Sequence, residues 1–104
     1  MPRAKRGEIW MADLGFVAKV RPVLILSVAY QDSERAVVSY VIRTTSLRGT
    51  QYEVLHHHRN MPPGAFDAQG IASIPNVKLE RWIGAVDETT LTQVEAAVRA
   101  WLAL

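Results

Sequence analysis

The strongest constraint on the fold is the run Arg21-Pro22-Val23-Leu24-Ile25-Leu26-Ser27-Val28. Beyond Pro22 it is almost continuously apolar and of strand length, the pattern of a strand covered on both faces. Pro22 suits the strand's first positions, where no ladder donor is required. Such a strand needs neighbours along its edges and a layer on each side. Gly7–Asp13 reads as one neighbour, bounded by Gly7 and Gly15. Ala36–Thr45 reads as another, with Val38, Tyr40 and Ile42 on one face and Ser39, Arg43 and Thr45 on the other. Gln51–His58 follows a turn at Arg48-Gly49, Met61–Gly64 reads as a loop, and Phe66–Ile74 as a further strand weakened by Gly70.

The last segment has a different period. Asp87 suits an N-cap, and Glu88 in the first turn complements the helix dipole. Leu91, Val94, Val98, Trp101 and Leu102 then recur at helical spacing, a core-facing stripe in which Trp101 is expected to be buried. Five strands and one amphipathic helix predict a mainly β fold with α: a small, strongly curved sheet or barrel closed on one side by the C-terminal helix. The 104 residues contain no repeat or linker and form one domain, 1–104. With 49% hydrophobic and 21% charged residues there is enough apolar side chain to offset chain entropy, which excludes disorder.

Other classes fall away on composition. No apolar run is long enough for a transmembrane helix. The basic start MPRAKRGEIW is not followed by an apolar stretch, so a secretory leader is not expected and a cytoplasmic location is. The absence of cysteine removes disulfides, thiolate metal sites and cysteine nucleophiles together. No phosphate-binding glycine pattern or nucleophile elbow is present. His56-His57-His58 must alternate along a strand, so at most two share a face. We read them as a solvated strand end rather than a metal site, although an unperturbed histidine titrates near neutrality, the range useful for acid–base work. No metal or cofactor is expected.

Charge is unevenly distributed. Residues 1–59 carry nine Lys/Arg against five Asp/Glu, whereas residues 60–104 carry three against five. A basic front half suits an anionic partner such as nucleic acid, but charge alone favours a solvated surface of scattered cations. A hairpin calculation is more pointed. If Arg21–Val28 and Ala36–Thr45 pair antiparallel around a turn near Ser33, opposed residues share an index sum of about 66. Arg21 then lies opposite Thr45 to within one or two residues, at the end away from the turn. A planar donor fork beside a hydroxyl suits a phosphate, and Ser46 and Arg48 follow in the same loop.

The string Lys5-Arg6-Gly7-Glu8-Ile9-Trp10, then Asp13-Leu14, then Arg21-Pro22-Val23-Leu24-Ile25-Leu26-Ser27 resembles the opening of MazF/PemK-type toxins. Val41-Ile42-Arg43-Thr44-Thr45-Ser46 is similar to the family strand that ends in Thr-Ser, and the closing helix is similar to the family's last helix. The resemblance covers most of the chain. It implies an SH3-like barrel that forms a homodimer and acts as a metal-independent endoribonuclease on single-stranded RNA, neutralised by a cognate antitoxin protein. It also implies that Arg21 and Thr45 are catalytic, with Lys19, Ser46 and Arg48 binding RNA. The family's loop between the first two strands is longer, Gly/Ser-rich and charged, whereas Gly15–Val20 is short, apolar and without a carboxylate. Two other functions suit the same frame: a toxin of this fold acting on a protein target such as gyrase, and a catalytically silent RNA-binding barrel. The presence of Arg21 and Thr45 together favours RNA cleavage.

Overall fold

The computed structural model describes residues 2–16 and 19–104; Val17 and Ala18, in the apolar Gly15–Val20 connection, lie outside the described residues. The strands are β1 (Glu8–Asp13), β2 (Val20–Ile25), β3 (Val37–Thr44), β4 (Glu53–His58), β5 (Met61–Pro75) and β6 (Leu79–Ala85), with one 3-10 turn over Asn76–Lys78. The helix α1 (Glu88–Leu102) closes the chain. All pairings are antiparallel and the strand order is β4-β5-β3-β2-β1-β6. The expected curved sheet with a C-terminal helix is therefore observed.

The apolar run of β2 explains the layering. Val23, Leu24 and Ile25 are all fully buried, because alternate residues enter different cores. Val23 and Ile25 join Trp10, Ala12, Val38 and Tyr40 on one face. Leu24 joins Ile9, Val41, Phe66 and the helix residue Val94 on the other. Each such burial is worth roughly 2 kcal/mol, so the two-faced strand anchors both layers. Val38, Tyr40 and Ile42 do share one face, as the alternation requires. The helix is capped as expected, the Asp87 carboxylate accepting from the Thr90 amide at 2.7 Å.

Four readings are corrected. Met61–Gly64 is the start of β5, not a loop. There β5 pairs only with β4, and the register slips between His56 and His58, which absorbs two prolines that cannot donate. A sixth strand, β6, runs along the free side of β1; its Glu80 and Arg81 are exposed, and only Leu79 and Gly84 are buried, so its apolar signal is thin. β2 stops at Ile25 rather than Val28, since the amides of Leu26 and Ser27 both turn to the Ser39 carbonyl. Trp101 is not core: it is 42% exposed. Leu91, Val94 and Val98 pack on the sheet. Trp101 instead packs edge-to-face with Tyr52, the ring centroids 5.3 Å apart.

Candidate active site

β1–β2 pairing places Arg21 opposite Ala12 at the start of β2. On the other side, Val23, Leu24 and Ile25 face Ile42, Val41 and Tyr40, a constant sum of 65. Continued, that register sets Arg21 opposite Thr44, with Thr45 one step further. The hairpin arithmetic is off by one residue, within its stated margin. The β3 end then breaks into a tight turn, where the Ser46 amide donates to Thr44 Oγ1 at 3.0 Å. This occupies a lone pair of Thr44 and leaves its hydroxyl hydrogen free.

Two open hollows of about 490 Å³ each meet at this point, both lined by Arg21, Thr44 and Ser46. Thr45 lines only the second, together with Arg43, Met61 and Pro62. Arg48 lines only the first, together with Glu53, Asp67, Gln69 and Trp101. Of the residues expected at the site, Arg21, Thr45, Ser46 and Arg48 thus come together around one centre. Lys19 does not line either hollow; it sits exposed in the β1–β2 connection with a φ of 55°, its amide donating to the Gly15 carbonyl at 2.6 Å.

The loop carrying Arg48 is built by Glu53. Its Oε1 accepts from the amides of Arg48, Gly49 and Thr50 at 3.1, 2.7 and 3.3 Å, and its Oε2 from Arg48 at 3.0 Å. The Arg48 amide above all, with the Gly49 and Thr50 amides, holds this carboxyl below its ordinary range, against an opposing desolvation that raises it.

Arg43 is the residue that sequence reasoning missed. It is 2% exposed, although it was grouped with polar Ser39 and Thr45. Parity also groups it with Val41, which is fully buried, and that was the available signal. Its Nε donates to His56 Nδ1 at 2.9 Å, and its Nη2 donates to the carbonyls of His56 and Pro62 at 2.9 and 2.8 Å. Burial pushes the guanidinium pKa down. The His56 ring packs on Phe66 at 4.6 Å, and its pKa falls to about 4, first through desolvation and then through the Arg43 charge. His56 and His58 share a face, as alternation requires, while His57 is exposed. Among the described residues no three His, Asp or Glu side chains gather as a metal site. No described helix is long and apolar enough to cross a membrane.

The fold has close relatives among solved structures. An endoribonuclease from a mycobacterial species is 25% identical with a TM-score of 0.83, covering 100% of this chain and 95% of its own. An endoribonuclease from a mycobacterial species in complex with its cognate antitoxin is 26% identical with a TM-score of 0.84, covering 97% of this chain and 96% of its own. MazF from Deinococcus radiodurans shares the fold, with a TM-score of 0.83 over 100% of both chains at 16% identity. No curated protein matches the sequence. Residues 5–102 match the family described as the PemK-like, MazF-like toxin of type II toxin-antitoxin systems. With nearly its whole length matched and its fold shared, the chain belongs to that toxin family.

Proposed function

We propose that this protein is an endoribonuclease toxin that cuts single-stranded RNA, held inactive by a cognate antitoxin until released. The observation that carries the reading is the convergence of Arg21, Thr45, Ser46 and the Arg48 loop around two adjoining hollows. Two mycobacterial structures named as endoribonucleases, one of them in complex with its antitoxin, support it.

The chemistry needs no enzyme nucleophile and no metal. The RNA's 2′-hydroxyl oxygen attacks the adjacent phosphorus while losing its proton, the bond from phosphorus to the 5′-oxygen breaks, and that oxygen gains a proton. The products are a 2′,3′-cyclic phosphate and a 5′-hydroxyl. The burden on the protein is the charge that builds on the phosphate oxygens. Arg21 stabilises it with a planar donor fork and stays protonated throughout. Thr45 donates its hydroxyl to a phosphate oxygen and orients it. Thr44, tied to the Ser46 amide, holds the turn that presents Thr45. Ser46, Arg48 and, from the neighbouring loop, Lys19 bind the flanking backbone. The active form is a cytoplasmic homodimer.

The test is incubation of the purified protein with long single-stranded RNA in EDTA, with mapping of cut positions and end groups. Cuts at a short recurring sequence with cyclic phosphate ends are expected, and both Arg21→Ala and Thr45→Val should lose them while keeping the melting temperature. Absence of cleavage across varied RNAs, or full activity in Arg21→Ala, overturns the reading.

A further inference from the structure

The first hollow has a feature that phosphate binding leaves unused. The long strand β5 faces β3 at Ala72↔Tyr40 and at Asp67↔Ile42, so six residues of β5 span what three of β3 span. The excess makes a bulge, which carries Gln69 and Gly70 out as one wall. Trp101, in the last turn of α1, forms part of the lining. Tyr52 packs against its ring at an interplanar angle of 63°, which fixes the indole while leaving the residue 42% exposed.

We infer that this hollow is a nucleobase subsite selective for guanine, with Trp101 as the stacking face and Asp67 reading the base's Watson–Crick edge, beside the phosphate held by Arg21. The inference rests on the ribonuclease reading for its substrate, not for its geometry. The hollow, about 490 Å³, admits a base with its sugar. An exposed indole in a hollow that also holds the cations Arg21 and Arg48 is a platform for an unpaired base with its phosphate. Asp67 decides which base. Its Oδ1 accepts from the Gln69 amide at 3.0 Å, and among the described residues no arginine or lysine lies within ion-pair distance of it. An ionised carboxylate only accepts, with about four lone-pair sites, so capacity remains after that contact. Guanine offers two adjacent donors, N1–H and the 2-amino group, spaced to match a carboxylate. Adenine and cytosine place an acceptor beside their amino group, and uracil has a single N–H between two carbonyls; each sets a lone pair against the carboxylate. Glu53 also lines the hollow, but its oxygens are engaged by the Arg48–Thr50 amides.

The test uses short 2′-deoxy oligonucleotides, which cannot be cleaved, each with one guanine, inosine, adenine, cytosine or uracil in an otherwise constant sequence. Binding to the intact protein is followed by fluorescence anisotropy, alongside cleavage mapping on natural RNA. The guanine oligonucleotide should bind about tenfold more tightly than the others, with inosine between. Trp101→Ala should weaken it about tenfold and Trp101→Phe much less. Asp67→Asn should abolish the preference for guanine without weakening binding to the other oligonucleotides, since a negative charge leaves a hollow that must take an anionic strand; a purely structural Asp67 would weaken all equally. Equal binding of all five, no binding of any, or a guanine preference that survives both Asp67→Asn and Trp101→Ala overturns the inference. Guanine-selective binding without RNA cleavage would uphold the subsite and reject the ribonuclease. Cleavage with no base preference at this position would do the reverse.

Discussion

Arg43 Nε donates to His56 Nδ1 at 2.9 Å, an inward-facing cation hydrogen-bonded to a neutral imidazole. The geometry requires the ring's proton to sit on Nε2, because Nδ1 is accepting. Protonating His56 would break this bond and set two cations against each other in a half-buried site. Desolvation first, then the charges of Arg43, His58 and His57, hold its pKa down at about 4 against an ordinary 6.5, with Asp87 pulling the other way. Between those values the unfolded chain binds more protons than the folded one, so stability rises with pH. The contribution is complete above pH 6.5 and is lost as pH falls towards 4. Solvent screening of a half-buried ring brings it to roughly 1–2 kcal/mol. Urea denaturation at pH 7.5 and at pH 5 should show the loss, and His56→Asn, which keeps an acceptor but cannot titrate, should show less of it. A His56 ring that titrates near 6.5 by NMR would refute the assignment.

Arg43 itself cannot be replaced by lysine. Its Nη2 reaches two carbonyls, those of His56 and Pro62, while Nε reaches the ring. A lysine ammonium is a compact charge and cannot span all three acceptors from one stem. Arg43→Lys should leave at least one buried acceptor unmet and cost about 2–3 kcal/mol in a denaturation titration. A loss below 0.5 kcal/mol would mean that the three bonds are dispensable.

The burial of Arg43 shows where sequence periodicity stops. The Val23–Ile25 run, the Asp87 cap and the meeting of Arg21 with the Thr44–Ser46 turn were legible, because each depends on neighbours within one hairpin or one helical turn. Parity places Arg43 on a face with Ser39 and Thr45 but does not say whether that face is covered; the cover comes from His56 and Pro62. Trp101 fits the helical stripe, and only the tertiary packing decides that it stands beside Tyr52 at an open hollow rather than in the core. β6 depends on a partner, β1, that lies some seventy residues earlier in the chain. The opposite case is Met61–Gly64, where two prolines and a glycine signal a loop and the long-range pairing with β4 overrides it.

Gly64 tests how tightly Arg43 is held. A Cβ there would lie 2.6 Å from Arg43 Nη1 and 2.7 Å from the Thr44 carbonyl oxygen. The first contact involves the end of a side chain, the second a strand backbone that cannot easily yield. Gly64→Ala should therefore lower stability by about 1–3 kcal/mol. In an Arg43→Met background Gly64→Ala should still cost stability, but less, since only the clash with Thr44 remains. Because Thr44 lines both hollows, Gly64→Ala should also slow RNA cleavage at temperatures where the protein stays folded. A Gly64→Ala cost that vanishes in the Arg43→Met background would show that the Thr44 carbonyl moves freely.

Glu53 poses a choice between two opposing effects. Its carboxylate lines the hollow beside Arg21 and Arg48, so on charge alone its removal should strengthen RNA binding. It also gathers the amides of Arg48, Gly49 and Thr50, so removal frees three donors and loosens the loop that presents Arg48. The two substitutions separate these effects. Glu53→Gln removes the charge but keeps an acceptor for the amides; Glu53→Ala removes both. If the loop dominates, Glu53→Ala should weaken RNA binding several-fold, with Glu53→Gln close to the parent. The salt dependence should also flatten by about one unit of slope in Glu53→Ala if Arg48 loses its phosphate contact. Hydrogen exchange at the amides of residues 48–50 should accelerate in the alanine variant and much less in the glutamine one. Tighter binding by both variants, with unchanged exchange, would instead mean that Glu53 acts as a local repulsive charge. We expect the loop effect to win, because the charge is screened at the surface whereas the amide contacts are lost outright.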